Sequence, residues 1–158
     1  MQAAKDTFLK TLATRLAAVN PARTVVIDGA ARAAALTVEN ENVMTPGSRT
    51  ECFLLNWESS GTVSASLQYL DCKVSYSTRG TAGLVGTDRG RTLTAMDTEL
   101  RQICSPRWAA KCDSTQTPPA ALGTDVFWSR PVMAEMKDEG SLMTREATIR
   151  LYFFPEVS

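Results

Sequence analysis

At 158 residues the chain suits one domain with one core, and 44% hydrophobic against 22% charged residues excludes disorder. Lys plus Arg equals Asp plus Glu at 17 each, so no broad basic surface for nucleic acid is expected, and little repulsion opposes self-association. The chain has no histidine, which removes Ser-His-Asp and Cys-His arrangements and lowers the expectation of an enzyme.

Residues 3–19 predict an amphipathic helix. Phe8, Leu9, Leu12, Leu16 and Val19 recur at helical spacing, and Lys5, Asp6, Lys10 and Arg15 form a solvated face. Asn20-Pro21 ends it. "TVVI" at 24–27 is a short apolar run before the turn signal Asp28-Gly29. Residues 28–48 stay open between helix, for their alanines, and strand, for Leu36 and Val38, with "TPGS" at 45–48 as a loop.

A hairpin follows. "TECFLLNWE" leads into a turn at "SSGT", and "VSASLQYLDCKVSYST" returns as a strand of about sixteen residues, longer than the usual range. Leu70, Cys72, Val74 and Tyr76 alternate onto one face. A second helix runs from about 88 or 92 to 104, buried through Leu93, Met96, Leu100 and Ile103, with Asp97 and Arg101 placed to pair on its exposed side. The connection at about 105–123 reads as long and loop-like. Residues 124–136 and 141–154 then form a hairpin around "KDEG". In its last strand Met143, Ala147, Ile149, Leu151 and Phe153 oppose Thr144, Glu146, Thr148 and Arg150, the pattern of an antiparallel sheet with one wet face. Pro131 in the partner points to an edge or a bulge. The expected fold class is α+β: an antiparallel sheet of about four to five strands with two helices packed on one face.

The loop "RGTAGLVGTDRGRT" sits between a strand and a helix, as phosphate-binding loops do. Yet it lacks the Lys-Ser/Thr pair of a Walker loop and the G-x-G of a dinucleotide fingerprint. It is read as a flexible arm at about 78–91, with Arg79, Asp88, Arg89 and Arg91 as candidate contacts to a partner. Trp57, Trp108 and Trp128 are read as core for at least two of the three. Trp128 shares a strand face with Arg130, away from Phe127 and Met133, so Trp128 and Arg130 join the candidate interface. Cys52, Cys72, Cys104 and Cys112 form no C-x2-C pair and are expected to be buried free thiols. No carboxylate pair suits catalysis. Catalytic residues, a metal and a cofactor are therefore not expected. No apolar run is long enough to span a membrane, and no basic-then-apolar segment opens the chain, which favours a reducing cytosolic setting.

The order of elements resembles the tail terminator family of long-tailed bacteriophages and the related tail-completion proteins of prophages. It is carried by the helix "KDTFLKTLATRLAAV", the long strand "SASLQYLDCKVSYST", the helix "RTLTAMDTELRQIC" and the closing "VFWSRPVMAEMKDEGSLMTREATIRLYFF". The resemblance spans nearly all of 1–158 as a single such domain. The glycine-rich loop and the long 105–123 connection depart from the family pattern. The resemblance implies a six-fold ring of copies that caps the tail tube and meets the head connector. It implies a virion (tail) location after assembly in the host cytoplasm. The partners would be further copies, the tube protein and the connector, with no membrane and no specific nucleic acid. The alternatives are a neck or tail-tube component, or a small ligand- or peptide-binding domain.

Overall fold

The computed structural model describes the backbone of residues 1–21, 24–27, 30–33, 36–38 and 50–156, and the side chains of 1–21 and 50–156. Helix α1, Gln2–Val19, buries Ala4, Phe8, Leu12 and Leu16 on one stripe. β1 (Thr24–Ile27) and β2 (Ala30–Ala33) pair antiparallel, and β3 (Leu36–Val38) runs parallel to β4 (Phe53–Thr62). The expected turn at Asp28-Gly29 and the loop at 45–48 lie outside the described residues.

β4 (Phe53–Thr62) and β5 (Gln68–Thr78) form the expected hairpin. The turn falls later than the sequence suggested. Strand pairing continues through "SSGT" to Thr62 and Gln68, and the chain reverses at 63–67. A bulge between Trp57 and Ser60 absorbs the shift. The return strand is accordingly 11 residues, not the sixteen read from alternation. A 3-10 turn (Ala82–Leu84) leads into α2, Arg89–Ile103.

The 105–123 connection is a correction. It contains a strand, β6 (Trp108–Asp113), paired antiparallel with β7 (Ala120–Trp128). Short β8 (Val132–Met133) and β9 (Lys137–Glu139) follow, and β10 (Leu142–Phe153) closes the sheet. The order is β3-β4-β5-β10-β7-β6, with β8 and β9 also on β10. The class is α+β as expected. The sheet is larger than four to five strands: seven antiparallel strands, with β3 added parallel at one side.

β10 is central. One neighbour, β5, pairs with it continuously from Phe153↔Gln68 to Met143↔Thr78. The other is broken into three pieces. Leu151 faces Trp128, Thr148 faces Val132 and Thr144 faces Lys137, so the broken side carries one extra residue at each gap. Pro131 lies in the first gap, where its missing N–H costs no ladder bond.

Both helices cover the face that carries Leu70, Cys72, Val74, Tyr76, Ala147, Ile149, Leu151 and Phe153. Phe8 meets Trp57 and Trp128 edge-on at centroid distances of 6.1 and 5.2 Å. Two charged residues read as solvated are not. Arg15 donates to the carbonyls of Ile103 and Pro106, capping the end of α2. Asp97 is 3% exposed and lies within the core side of α2 rather than on its outer face.

Candidate interaction surface

Alternation puts every second residue of β5, β7 and β10 on the face the helices leave uncovered. Along one register line of that face lie four aromatic residues. Trp108 on β6 pairs with Phe127 on β7, Phe127 with Tyr152 on β10, and Tyr152 with Tyr69 on β5. At strand spacing the row spans about 14 Å. Trp108 is 49% exposed and Phe127 43% exposed, while the two tyrosines are half-buried. Beyond Tyr69 the line reaches Gly61 on β4, where a Cβ would sit 2.7 Å from the tyrosine ring. The absent side chain lets the ring lie down on the strand.

Ion pairs flank the row. The Arg150 guanidinium forks the Asp71 carboxylate at 2.7 and 2.8 Å and lies 4.2 Å from the centroid of Tyr69. Ser59 Oγ donates to the same carboxylate at 2.8 Å. Arg150 holds the Asp71 carboxyl below the usual range, with burial opposing, and Asp71 in turn raises Arg150. One register step on, Lys73 Nζ meets Glu146 at 2.8 Å, which raises the lysine. The surface is thus aromatic along one line and ion-paired beside it, with its charges fixed in place.

The outer edge of β6 is less open than an edge strand need be. Its pairing with β7 is broken between Ala110 and Cys112, where β7 carries two extra residues, and Lys111 points inward, where its ammonium donates to the Phe154 carbonyl and pairs with Glu156. Bulges and inward charges discourage strand addition. A partner therefore has more to gain on the face than along this edge.

The residues anticipated from sequence separate into groups. Asp88 accepts from the Thr81 N–H at 2.8 Å and from its hydroxyl at 2.7 Å, which lower its titration, the hydroxyl foremost. This ties the 78–91 segment back on itself rather than leaving it extended. Gly80, at φ +71°, has no room for a Cβ against Asp88. Arg89 reaches Asp138 at 3.3 Å and the Gly140 carbonyl, fastening the segment to the β9–β10 turn. Arg79 lines the same shallow cavity as Arg89, and Arg91 is exposed on the first turn of α2. At the tip Val85 is 90% exposed at φ 52°, a left-handed conformation unusual for a β-branched residue.

Trp128 is a correction. It is 3% exposed, its Nε1 donates to the Cys104 carbonyl at 2.9 Å, and Arg15 lies over its ring. Arg130, unlike Trp128, is exposed and lines a cleft at the C-terminal end of α2. The exposed tryptophan is Trp108, which the sequence does not mark as an interface residue because it falls in a stretch that reads as loop. Trp57 and Trp128 are core.

The four cysteines are free thiols, with Cys52, Cys72 and Cys104 buried. Burial pushes Cys72 well above the ordinary thiol range and Cys104 up to about 12, so neither is a ready nucleophile. Among the described residues no cluster of three or more Cys, Asp or Glu side chains could hold a metal ion. None of the described helices is long and apolar enough to cross a membrane. No protein-family model matches the chain, and no curated protein sequence matches it.

Proposed function

We propose that this chain is a structural subunit that assembles with copies of itself into a closed ring, as in the tail terminators that its order of elements resembles. In that reading the ring caps a tail tube, meets a head connector and carries out no chemistry of its own. The observation that supports the reading best is the uncovered sheet face with its row of Trp108, Phe127, Tyr152 and Tyr69. Large aromatic side chains held by strand pairing lose little freedom on contact, and such residues dominate protein–protein interfaces. The folded-back 78–91 segment, with Arg79, Asp88, Arg89 and Arg91 at the other end of α2, offers a second and chemically different surface. Two unlike surfaces suit a head-to-tail contact, which closes into a ring when its rotation allows.

Light scattering over a range of protein and salt concentrations tests this reading. A discrete particle near six times the 17.2 kDa subunit mass is expected. Open-ended filaments would move the assignment to a tube component, and a strict monomer throughout would favour a ligand- or peptide-binding module.

A further inference from the structure

At the C-terminal end of α2, Arg101, Cys104, Ser105, Arg107, Arg130 and Pro131 line a cleft of about 480 Å³, within the size range of small-molecule sites. Three different parts of the chain bring the arginines there. Arg101 is in the last turn of α2. Arg107 precedes β6, and its carbonyl accepts from the Trp128 N–H at 3.0 Å, which sets it beside the strand that ends two residues before Arg130. Arg130 lies in the gap between β7 and β8.

The charge in this cleft is not compensated. Among the described residues the guanidinium groups of Arg101, Arg107 and Arg130 make no hydrogen bond and no ion pair, and no acid lines the cleft. Four arginines of the described chain are engaged, Arg15 with carbonyls, Arg89 with Asp138, Arg145 with Asp97 and Arg150 with Asp71, whereas Arg79 and Arg91 are exposed singly rather than gathered in a cleft with Arg101, Arg107 and Arg130. Carbonyl oxygens at the end of α2 could in principle have served as partners. They are already taken, Ile103 and Pro106 by Arg15, and Cys104 by the Trp128 indole. The three side chains are exposed and line the cleft, so their donors are open to a ligand there. A guanidinium presents a planar fork that matches two oxygens of a carboxylate or phosphate, and Ser105 adds a hydroxyl that can donate.

We infer that this cleft is a binding site for a small multivalent oxyanion, one that offers several phosphate or carboxylate oxygens to Arg101, Arg107 and Arg130 together. Such an anion supplies the negative charge that the lining lacks, and two or three forks give it selectivity over a monovalent ion. The site does not depend on ring formation, since all its residues come from one chain.

Isothermal titration at low ionic strength tests it, with pyrophosphate and citrate as probes and sodium chloride at matched ionic strength as reference. One saturable site per chain is expected. Arg107→Gln with Arg130→Gln should weaken it at least about tenfold, as loss of charge-assisted bonds implies, while Lys10→Gln, on the exposed side of α1, leaves it unchanged. All these positions are exposed, and an unaltered melting curve confirms that the variants fold. Tighter pyrophosphate binding identifies phosphate compounds as the ligand class, and tighter citrate binding identifies carboxylates. Heats no larger than those of chloride, or equal losses in the Lys10 variant, overturn the proposal.

Discussion

Arg145 on β10 and Asp97 on α2 close a 2.7 Å ion pair between sheet and helix, and the Tyr76 hydroxyl donates to the other oxygen of the same carboxylate. The pair ties the helix layer to the central strand. Asp97→Ala would leave a half-buried guanidinium and a buried phenol without their acceptor. Removing one member of a buried pair costs about 3 kcal/mol or more, whereas Tyr76→Phe should cost about 1 kcal/mol. Urea denaturation of the single and double variants measures both. Additive losses would show that the three groups do not act as one network.

The uncovered face gives a sharper test of assembly. Trp108→Ser removes a half-exposed side chain, so stability should change by no more than about 0.5 kcal/mol. Self-association should weaken by about 2 kcal/mol, the scale of an interface anchor. Acrylamide quenching supplies a second reading, because Trp57 and Trp128 are buried and Trp108 is not. The readily quenched fraction should vanish in Trp108→Phe and shrink as the wild-type chain assembles. An association constant indifferent to Trp108 would remove the aromatic row from the interface.

Stability should fall on the acid side. Asp71 titrates below its unfolded value of 3.8, chiefly because Arg150 bonds the charged form. Glu156 titrates below 4.5 mainly through the bond from the N-terminal amine. A depressed carboxyl contributes its full stabilisation above the unfolded value and loses it as pH falls through the folded one. Thermal midpoints should hold between about pH 5 and 7 and drop below about pH 4. Asp71→Asn should flatten part of that drop. An acid limb as steep as that of the wild type would mean that Asp71 is not among its causes.

Thiol labelling separates the cysteines. Cys112 is the one free thiol that is not buried, while Cys104 titrates only near pH 12. One equivalent of iodoacetamide should add to the native chain at pH 8, and four after denaturation. Mass spectrometry locates the adduct, and labelling of Cys72 in the native state would contradict the packing.

Much of this architecture was legible. The alternation of Leu70, Cys72, Val74 and Tyr76, and that of Ala147, Ile149, Leu151 and Phe153, marks strands whose pairing is unbroken. The stripes of α1 and α2 were equally plain. β6 was hidden because "WAAKCD" has a charge where an inward residue belongs. Lys111 is buried only because Phe154 and Glu156, more than forty positions away, receive it. The face of Trp128 is hidden from local pattern for a related reason. Alternation counted across Pro131 puts Trp128 and Met133 on opposite faces, and the extra residue between β7 and β8 inverts that count. Trp128 and Met133 consequently face the same side. The buried role of Asp97 was beyond local pattern, since its partners lie 21 and 48 residues away.

The place of β10 bears on how the chain reaches this state. The strand synthesised last among those described sits between β5 and β7, so the sheet stays in two halves until it arrives. Most of its pairings join distant parts of the chain, which slows folding because large loops must close before contacts reward them. Until then Leu70, Cys72, Val74 and Tyr76 lie on a strand with an unfilled flank, the kind of exposure that recruits the wrong neighbour. A nascent chain halted before residue 142 should engage chaperones, and a peptide spanning 142–153, added in trans, should release it.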